Sequence, residues 1–181
     1  MKKIVLIYGL IAGTIVGGMM LITMPLYDDG TLNFDSGELV GYTTMVIALS
    51  LIFFGVKSFR DNHLGGVITF GKALKVGLLI TLIASVMYGL AWEVTYNLLT
   101  SNFTEKMTEH YINELKEDGA SAEVIAAEKA KWESFSEYYK NPIIRFTITM
   151  VVEIMPVGIV IALISAALLR RKEFLPVRQA A

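Results

Sequence analysis

Three ionisable residues interrupt otherwise apolar stretches of the chain: Glu93, Arg145 and Glu153. A charge inside hydrocarbon costs roughly 2.5–3.5 kcal/mol on insertion scales unless it is paired or wetted, so such residues either clamp helices together or handle protons and ions. Glu93 precedes Leu99 by six residues, about 9 Å along a helix axis, and Arg145 follows Pro142 by three. On neighbouring antiparallel helices the two would meet as an ion pair. Glu153 lies about 12 Å further along the axis than Arg145. It stands three residues before Pro156, whose missing N–H leaves the Val152 carbonyl without its helix partner. A kink with water is expected there, beside a carboxyl that is protonated or hydrogen-bonded to Thr or Tyr. Two chemistries compete for this cluster. In one, Glu93 and Arg145 form a structural clamp; in the other, Glu93 and Glu153 carry a proton or cation across a membrane.

Other arrangements carry less. His110 and Glu114 sit four apart on one helix face, half of a zinc site, but no second pair accompanies them, and the surrounding acids and lysines read as a solvated face. Asp28, Asp29 and Asp35 lie in a turn-rich stretch reaching Glu38. Their spacing is not that of a calcium loop, so the stretch reads as a short acidic connector. Gly65-Gly66, near Lys72 and Lys75, lacks the P-loop spacing and follows no strand. It reads as a tight turn whose cations rest on anionic lipid. There is no cysteine, hence no disulfide or thiolate metal site. No nucleophile–base pair, metal set or cofactor motif is present, so we expect no catalytic, cofactor-binding or metal-binding residues and no enzyme.

The elements that must position these residues are apolar. Of 181 residues, 54% are hydrophobic and 18% charged, with a mean hydropathy of +0.56. Such a composition excludes a disordered or nucleic-acid-binding chain and argues against a water-soluble domain. A membrane span needs about 20 mostly apolar residues, and four stretches supply them, at about 4–27, 39–59, 73–99 and 142–169. In lipid each backbone amide must be bonded within its own segment, so these are helices. Lys2 and Lys3 before the first run resemble a secretory leader, but the run is too long for a signal core and no small-x-small site follows, so a retained anchor helix is expected.

Ten lysines and arginines flank one side of these spans: Lys2 and Lys3, then Lys57, Arg60, Lys72 and Lys75, then Arg170, Arg171, Lys172 and Arg178. The other side has five, all lysines between 106 and 140, and thirteen acids. Positive residues favour the cytoplasmic side, so both termini are expected there. The insert at 100–141 reads as a helical hairpin on the far side. Asn102 with Glu105 fits an N-cap pattern, and Phe103, Met107, Tyr111 and Leu115 form an apolar stripe. Gly119 is a helix stop, Ser121 begins a second helix, and Asn141-Pro142 begins the last span. Trp132, Tyr138 and Tyr139 are expected at headgroup level.

Gly9, Gly13 and Gly17 repeat every four residues in the first span, as do Ala73, Gly77, Thr81, Ser85 and Gly89 in the third. Small residues at this spacing let helix backbones approach closely in lipid. They serve packing within one bundle or, for the first span, association with a second copy.

The stretch Gly65-Gly66-Val67-Ile68-Thr69-Phe70-Gly71-Lys72-Ala73-Leu74-Lys75-Val76-Gly77-Leu78-Leu79-Ile80, with Phe53-Phe54-Gly55-Val56-Lys57-Ser58-Phe59-Arg60 before it, resembles the family of domain of unknown function 4199. These are small membrane proteins, mostly of Bacteroidetes. The likeness covers the order of spans from about Lys2 to Lys172. It implies the four-span topology and an inner-membrane location, and carries no catalytic residue over. The expectation is therefore an all-α, four-helix transmembrane bundle forming one integral membrane domain over 1–181, with both termini inside and an extracytoplasmic hairpin between spans three and four. Its expected role is that of a non-enzymatic accessory or interaction protein. A homo-oligomer or a membrane or periplasmic protein is the expected partner beside the lipid. The alternative is a small ion- or proton-coupled transporter.

Overall fold

The computed structural model describes residues 1–28, 31–100 and 102–175. The side chain of Asp28, the Asp29-Gly30 turn and Arg178 lie outside the described residues. Among the described residues there is no strand. The elements are α1 (Lys2–Asp28), α2 (Phe34–Leu49), α3 (Leu51–His63), α4 (Phe70–Leu98), α5 (Phe103–Glu117), α6 (Ala122–Tyr139), α7 (Pro142–Ile148), a π-helical turn (Thr149–Ile154) and α8 (Met155–Leu169). Four rods in this set are long and apolar enough to cross a membrane: α1, α2 continued by α3, α4, and α7 continued through the π turn into α8.

The second rod begins at Phe34, ahead of the expected Leu39, because Asn33 caps it, accepting a hydrogen bond from the Ser36 N–H at 2.8 Å. The acidic connector is correspondingly shorter than the sequence predicts. This rod is also broken. At Ser50 the hydroxyl donates to the Ile47 carbonyl at 2.6 Å, a back-bond of the kind that bends helices. The lower half, α3, packs on α1, α4 and α8, whereas the upper half, α2, packs on α1 and only lightly on α8.

α4 is the axis of the bundle. Its longest contact is with α1, and the glycine stripe of α1 makes it. A Cβ on Gly9 would meet Ile83 Cβ at 2.7 Å, one on Gly13 would meet Met87 Cβ at 2.5 Å, and one on Gly17 would meet Ala91 Cβ at 2.8 Å. The partners advance in step with the glycines, so α1 and α4 run parallel. The stripe is thus occupied inside the bundle. The second small-residue series of α4 faces the last rod, which runs antiparallel. Gly77 meets Ala162, Gly158 closes on Thr81, and Gly89 takes the Phe146 ring. The buried hydroxyls along this seam donate back to their own helix, Thr81 to the Gly77 carbonyl at 3.0 Å and Ser85 to the Thr81 carbonyl at 2.8 Å. They therefore pack as small residues with no unpaired donor.

Around the girdle large apolar side chains stay uncovered, among them Ile22 at 66%, Ile47 at 65% and Val152 at 65% exposure. An apolar exterior on this scale needs an apolar solvent or a partner.

The connections follow local chemistry. α3 ends at His63, and the turn after it passes through Gly65 and Gly66, both at positive φ (62° and 86°), a region open to glycine. α5 ends in a Schellman motif, with Gly119 at φ 75°, its N–H bonded to the Lys116 carbonyl and the Ala120 N–H to that of Leu115. Ser121 accepts from the Val124 N–H at 3.4 Å. Asn141 accepts from the N–H groups of Ile143 and Ile144, with Pro142 opening α7. Asn102, by contrast, occupies the N-cap position of α5 without a side-chain cap hydrogen bond.

Candidate functional site

Glu93 near the end of α4 and Arg145 in α7 meet as a fork. Arg145 Nε donates to Glu93 Oε1 at 2.9 Å and Nη2 to Oε2 at 2.5 Å. The third guanidinium nitrogen, Nη1, donates to the Tyr139 carbonyl at 3.1 Å, and the guanidinium carbon lies 3.9 Å from the centre of the Tyr96 ring. One cation thereby ties α4, the end of α6 and the start of the last rod. Bidentate pairing of this kind is strong and directional.

Glu153 is not part of that pair. It sits in the π turn, where the Met155 N–H reaches back five residues to the Met150 carbonyl. The wider turn directly precedes Pro156, whose ring cannot fit against a regular helical carbonyl. The bend expected at this proline is therefore a π turn. Glu153 accepts a hydrogen bond from the Tyr88 hydroxyl of α4 at 3.0 Å.

Above these groups the α5–α6 hairpin is bound to the bundle by aromatic rings. Phe34 of α2 lies 5.8 Å from Phe103 and 5.1 Å from His110. Phe103 meets Trp92 of α4 edge-on at 5.0 Å. Trp92 continues to Tyr96, and Tyr96 to Tyr139. From Tyr139 the contacts run through Phe135 and Trp132 to Tyr111, and from there back to His110. The rings form a closed collar. Its polar stitch is Trp92 Nε1 donating to the Tyr139 hydroxyl at 2.8 Å, with Thr149 Oγ1 a further 3.4 Å away. Burial pushes the Tyr139 phenol up to about 12, outweighing the hydrogen bonds with Thr149 and Trp92, so it remains a neutral donor and acceptor at ordinary pH. Tyr139 is 4% exposed, packed inside the collar. Tyr138, its neighbour, is 64% exposed.

Beneath the collar is a cavity of about 300 Å³. Its lining is drawn from α1, α2, α4, both hairpin helices and the last rod. Glu38 and Tyr111 line it toward the hairpin, Glu153 and Tyr88 in its depth, and five methionines, Met19, Met20, Met24, Met45 and Met107, much of the rest.

His110 belongs to this collar. Its Nε2 lies 3.5 Å from Asp35 Oδ1, close enough to pair when the imidazole is charged but outside hydrogen-bond geometry. Among the described residues no group of three His, Asp or Glu assembles around it or elsewhere.

A second arginine has a role the sequence did not disclose. Arg60 is fully buried. Its Nε donates to Asp61 at 2.6 Å, while Nη1 and Nη2 donate to the carbonyls of Phe174 and Leu175 at 2.9 and 2.6 Å. Lys57 reaches the other oxygen of Asp61 at 2.5 Å. In the sequence Arg60 is one basic residue among ten flanking cations. Another signal was available in Tyr88, Trp92 and Tyr96, an aromatic row at four-residue spacing that marks the face of α4 turned to the hairpin and cavity.

The fold and site define a bundle of four membrane-length helices carrying a clamped helical hairpin at one end. The chain belongs to the family described as "Protein of unknown function (DUF4199)", whose model matches residues 7–171. No curated protein and no solved structure matches it.

Proposed function

We propose that the chain is an integral, non-enzymatic protein of the bacterial inner membrane, acting as an accessory or interaction subunit. Both termini lie in the cytoplasm and the α5–α6 hairpin is presented to the periplasm. The supporting observation is the attachment of the hairpin. Arg145 and the aromatic collar fasten it, so it serves as a platform and not as a linker. Its charge fits that role. The lysines Lys129, Lys131 and Lys140 pair with Glu133, Glu128 and Glu137 of their own helix, leaving exposed acids such as Glu117 and Glu123 near the tip to meet a basic partner. The flanking cations support the orientation.

A photo-crosslinking residue at Glu117 or Glu123 in intact cells tests this reading. One specific membrane or periplasmic protein captured at both positions is the expected result. Tags at either terminus should resist protease added to spheroplasts; digestion of either one overturns the orientation.

A second reading, ion- or proton-coupled transport, is favoured by the cavity that ends on Glu153. Glu93 is held by Arg145, so coupling falls to Glu153. Flux into proteoliposomes that is abolished by Glu153→Gln, with no crosslinked partner, would replace the accessory reading by this one.

A further inference from the structure

We propose that the cavity under the aromatic collar is a binding site for a lipophilic organic cation, an amine or quaternary ammonium with an apolar body, and that the Glu153 carboxylate is its counter-charge. The sign of the cavity comes first. Its charged lining residues are Glu38 and Glu153, and no lysine, arginine or histidine is among the described residues that line it. The nearby Arg145 is already occupied by both oxygens of Glu93. Glu153 is also half-used. One of its oxygens accepts from Tyr88 at 3.0 Å, and no described residue donates to the other. A carboxylate with an open oxygen, in the depth of a cavity inside apolar helices, calls for a positive partner.

The walls select the kind of cation. A bare calcium ion takes about six to eight oxygen ligands, and among the described residues no group of three His, Cys, Asp or Glu gathers to hold a metal ion. Four aromatic rings with π faces, those of Trp92, Tyr139, Phe103 and Phe135, are among the lining residues. Such faces attract alkylammonium groups that have shed their water. The five methionines add polarizable, adaptable surface for an irregular apolar body. A volume of about 300 Å³ lies at the small end of small-molecule sites and admits one aryl or short alkyl group with its ammonium. A neutral molecule of the same shape would leave Glu153 unanswered.

This inference concerns the interior of the bundle and stands apart from the accessory reading, which concerns the exterior of the hairpin. The test uses the full chain in lipid nanodiscs with benzyltrimethylammonium as the probe. Binding is followed by titration calorimetry and by the fluorescence of the two tryptophans, Trp92 and Trp132. Saturable binding is expected, weakened by about tenfold or more in Glu153→Gln. Gly41→Leu provides an independent variant. Gly41 lines the cavity, and a Cβ there meets nothing within 4 Å, so a leucine fills the space without disturbing Glu153 and should abolish binding. Four results would overturn the proposal. These are no saturable binding by the parent chain, unchanged affinity in either folded variant, equal competition by the uncharged isostere neopentylbenzene, and displacement by equimolar magnesium. Neopentylbenzene competition would mark an apolar occupant such as a lipid tail, and magnesium displacement an inorganic ion.

Discussion

Arg145 engages both oxygens of Glu93 across the α4–α7 contact, and the two side chains are 3% and 19% exposed. Arg60 performs the corresponding task at the opposite end, holding Asp61 and two main-chain carbonyls beyond α8. Each end of the bundle is therefore closed by one buried guanidinium that joins a carboxylate to backbone. Arginine suits this use because its planar donors satisfy several acceptors at once and its charge persists.

Breaking the Glu93–Arg145 pair from one side should be worse than removing it. Glu93→Gln leaves Arg145 buried without its counter-charge, a loss of about 3–5 kcal/mol. The double variant Glu93→Met with Arg145→Met should be less destabilised than Glu93→Gln alone. Thermal unfolding in mild detergent checks the order. A double variant less stable than the single one would show that the pair contributes more than its mutual compensation.

The glycine stripe makes a position-specific prediction. Gly13→Ala places a methyl at 2.5 Å from Met87 Cβ and should cost about 1–3 kcal/mol. Gly18→Ala meets nothing within 4 Å and should be neutral or slightly stabilising, since alanine favours helix. Equal effects at the two positions in the same unfolding assay would contradict the α1–α4 packing.

At the collar, Tyr139→Phe removes the acceptor of the buried Trp92 N–H. A cost of about 1–3 kcal/mol is expected, concentrated in the hairpin. Faster amide exchange in α6 with unchanged protection in α4 would register it.

The same residue sets an alkaline limit. The Tyr139 phenol rises from 10.0 in the unfolded chain to about 12 in the folded one. Its contribution to stability is therefore intact below pH 10 and is lost as pH rises from 10 through 12. Phenolate absorbance and α6 protection measured across that window should change together in the parent chain, and the Tyr139→Phe variant should lack this component.

At the other end, Arg60→Met should release the segment after α8. Trypsin should cut sooner at Arg170, Arg171 and Lys172, while the hairpin keeps its resistance. Unchanged cleavage would mean that the Phe174 and Leu175 carbonyls are held by something other than Arg60.

What the sequence determined by itself is what short-range physics controls. Four apolar runs must be helices wherever water is absent, because each backbone amide has to be bonded within its own segment. The Schellman stop at Gly119 and the cap at Asn141-Pro142 are equally local, settled within one helical turn. Glu93, Arg145 and Glu153 stood out as charges among apolar residues. Which of them meet, however, depends on the order and rotation of helices that are far apart in the chain. The sequence offered the Glu93–Arg145 pair on condition that their helices are neighbours, and a Thr or Tyr partner for Glu153; tertiary structure met the condition and made that partner Tyr88. It also buried Arg60, whose composition matches any exposed flanking cation, and closed the ring from Phe34 through Trp92, Tyr139 and Tyr111. The cavity has the same origin. Its lining residues come from α1, α2, α4, the α5–α6 hairpin and the last rod, segments remote in the chain that only packing brings to one place.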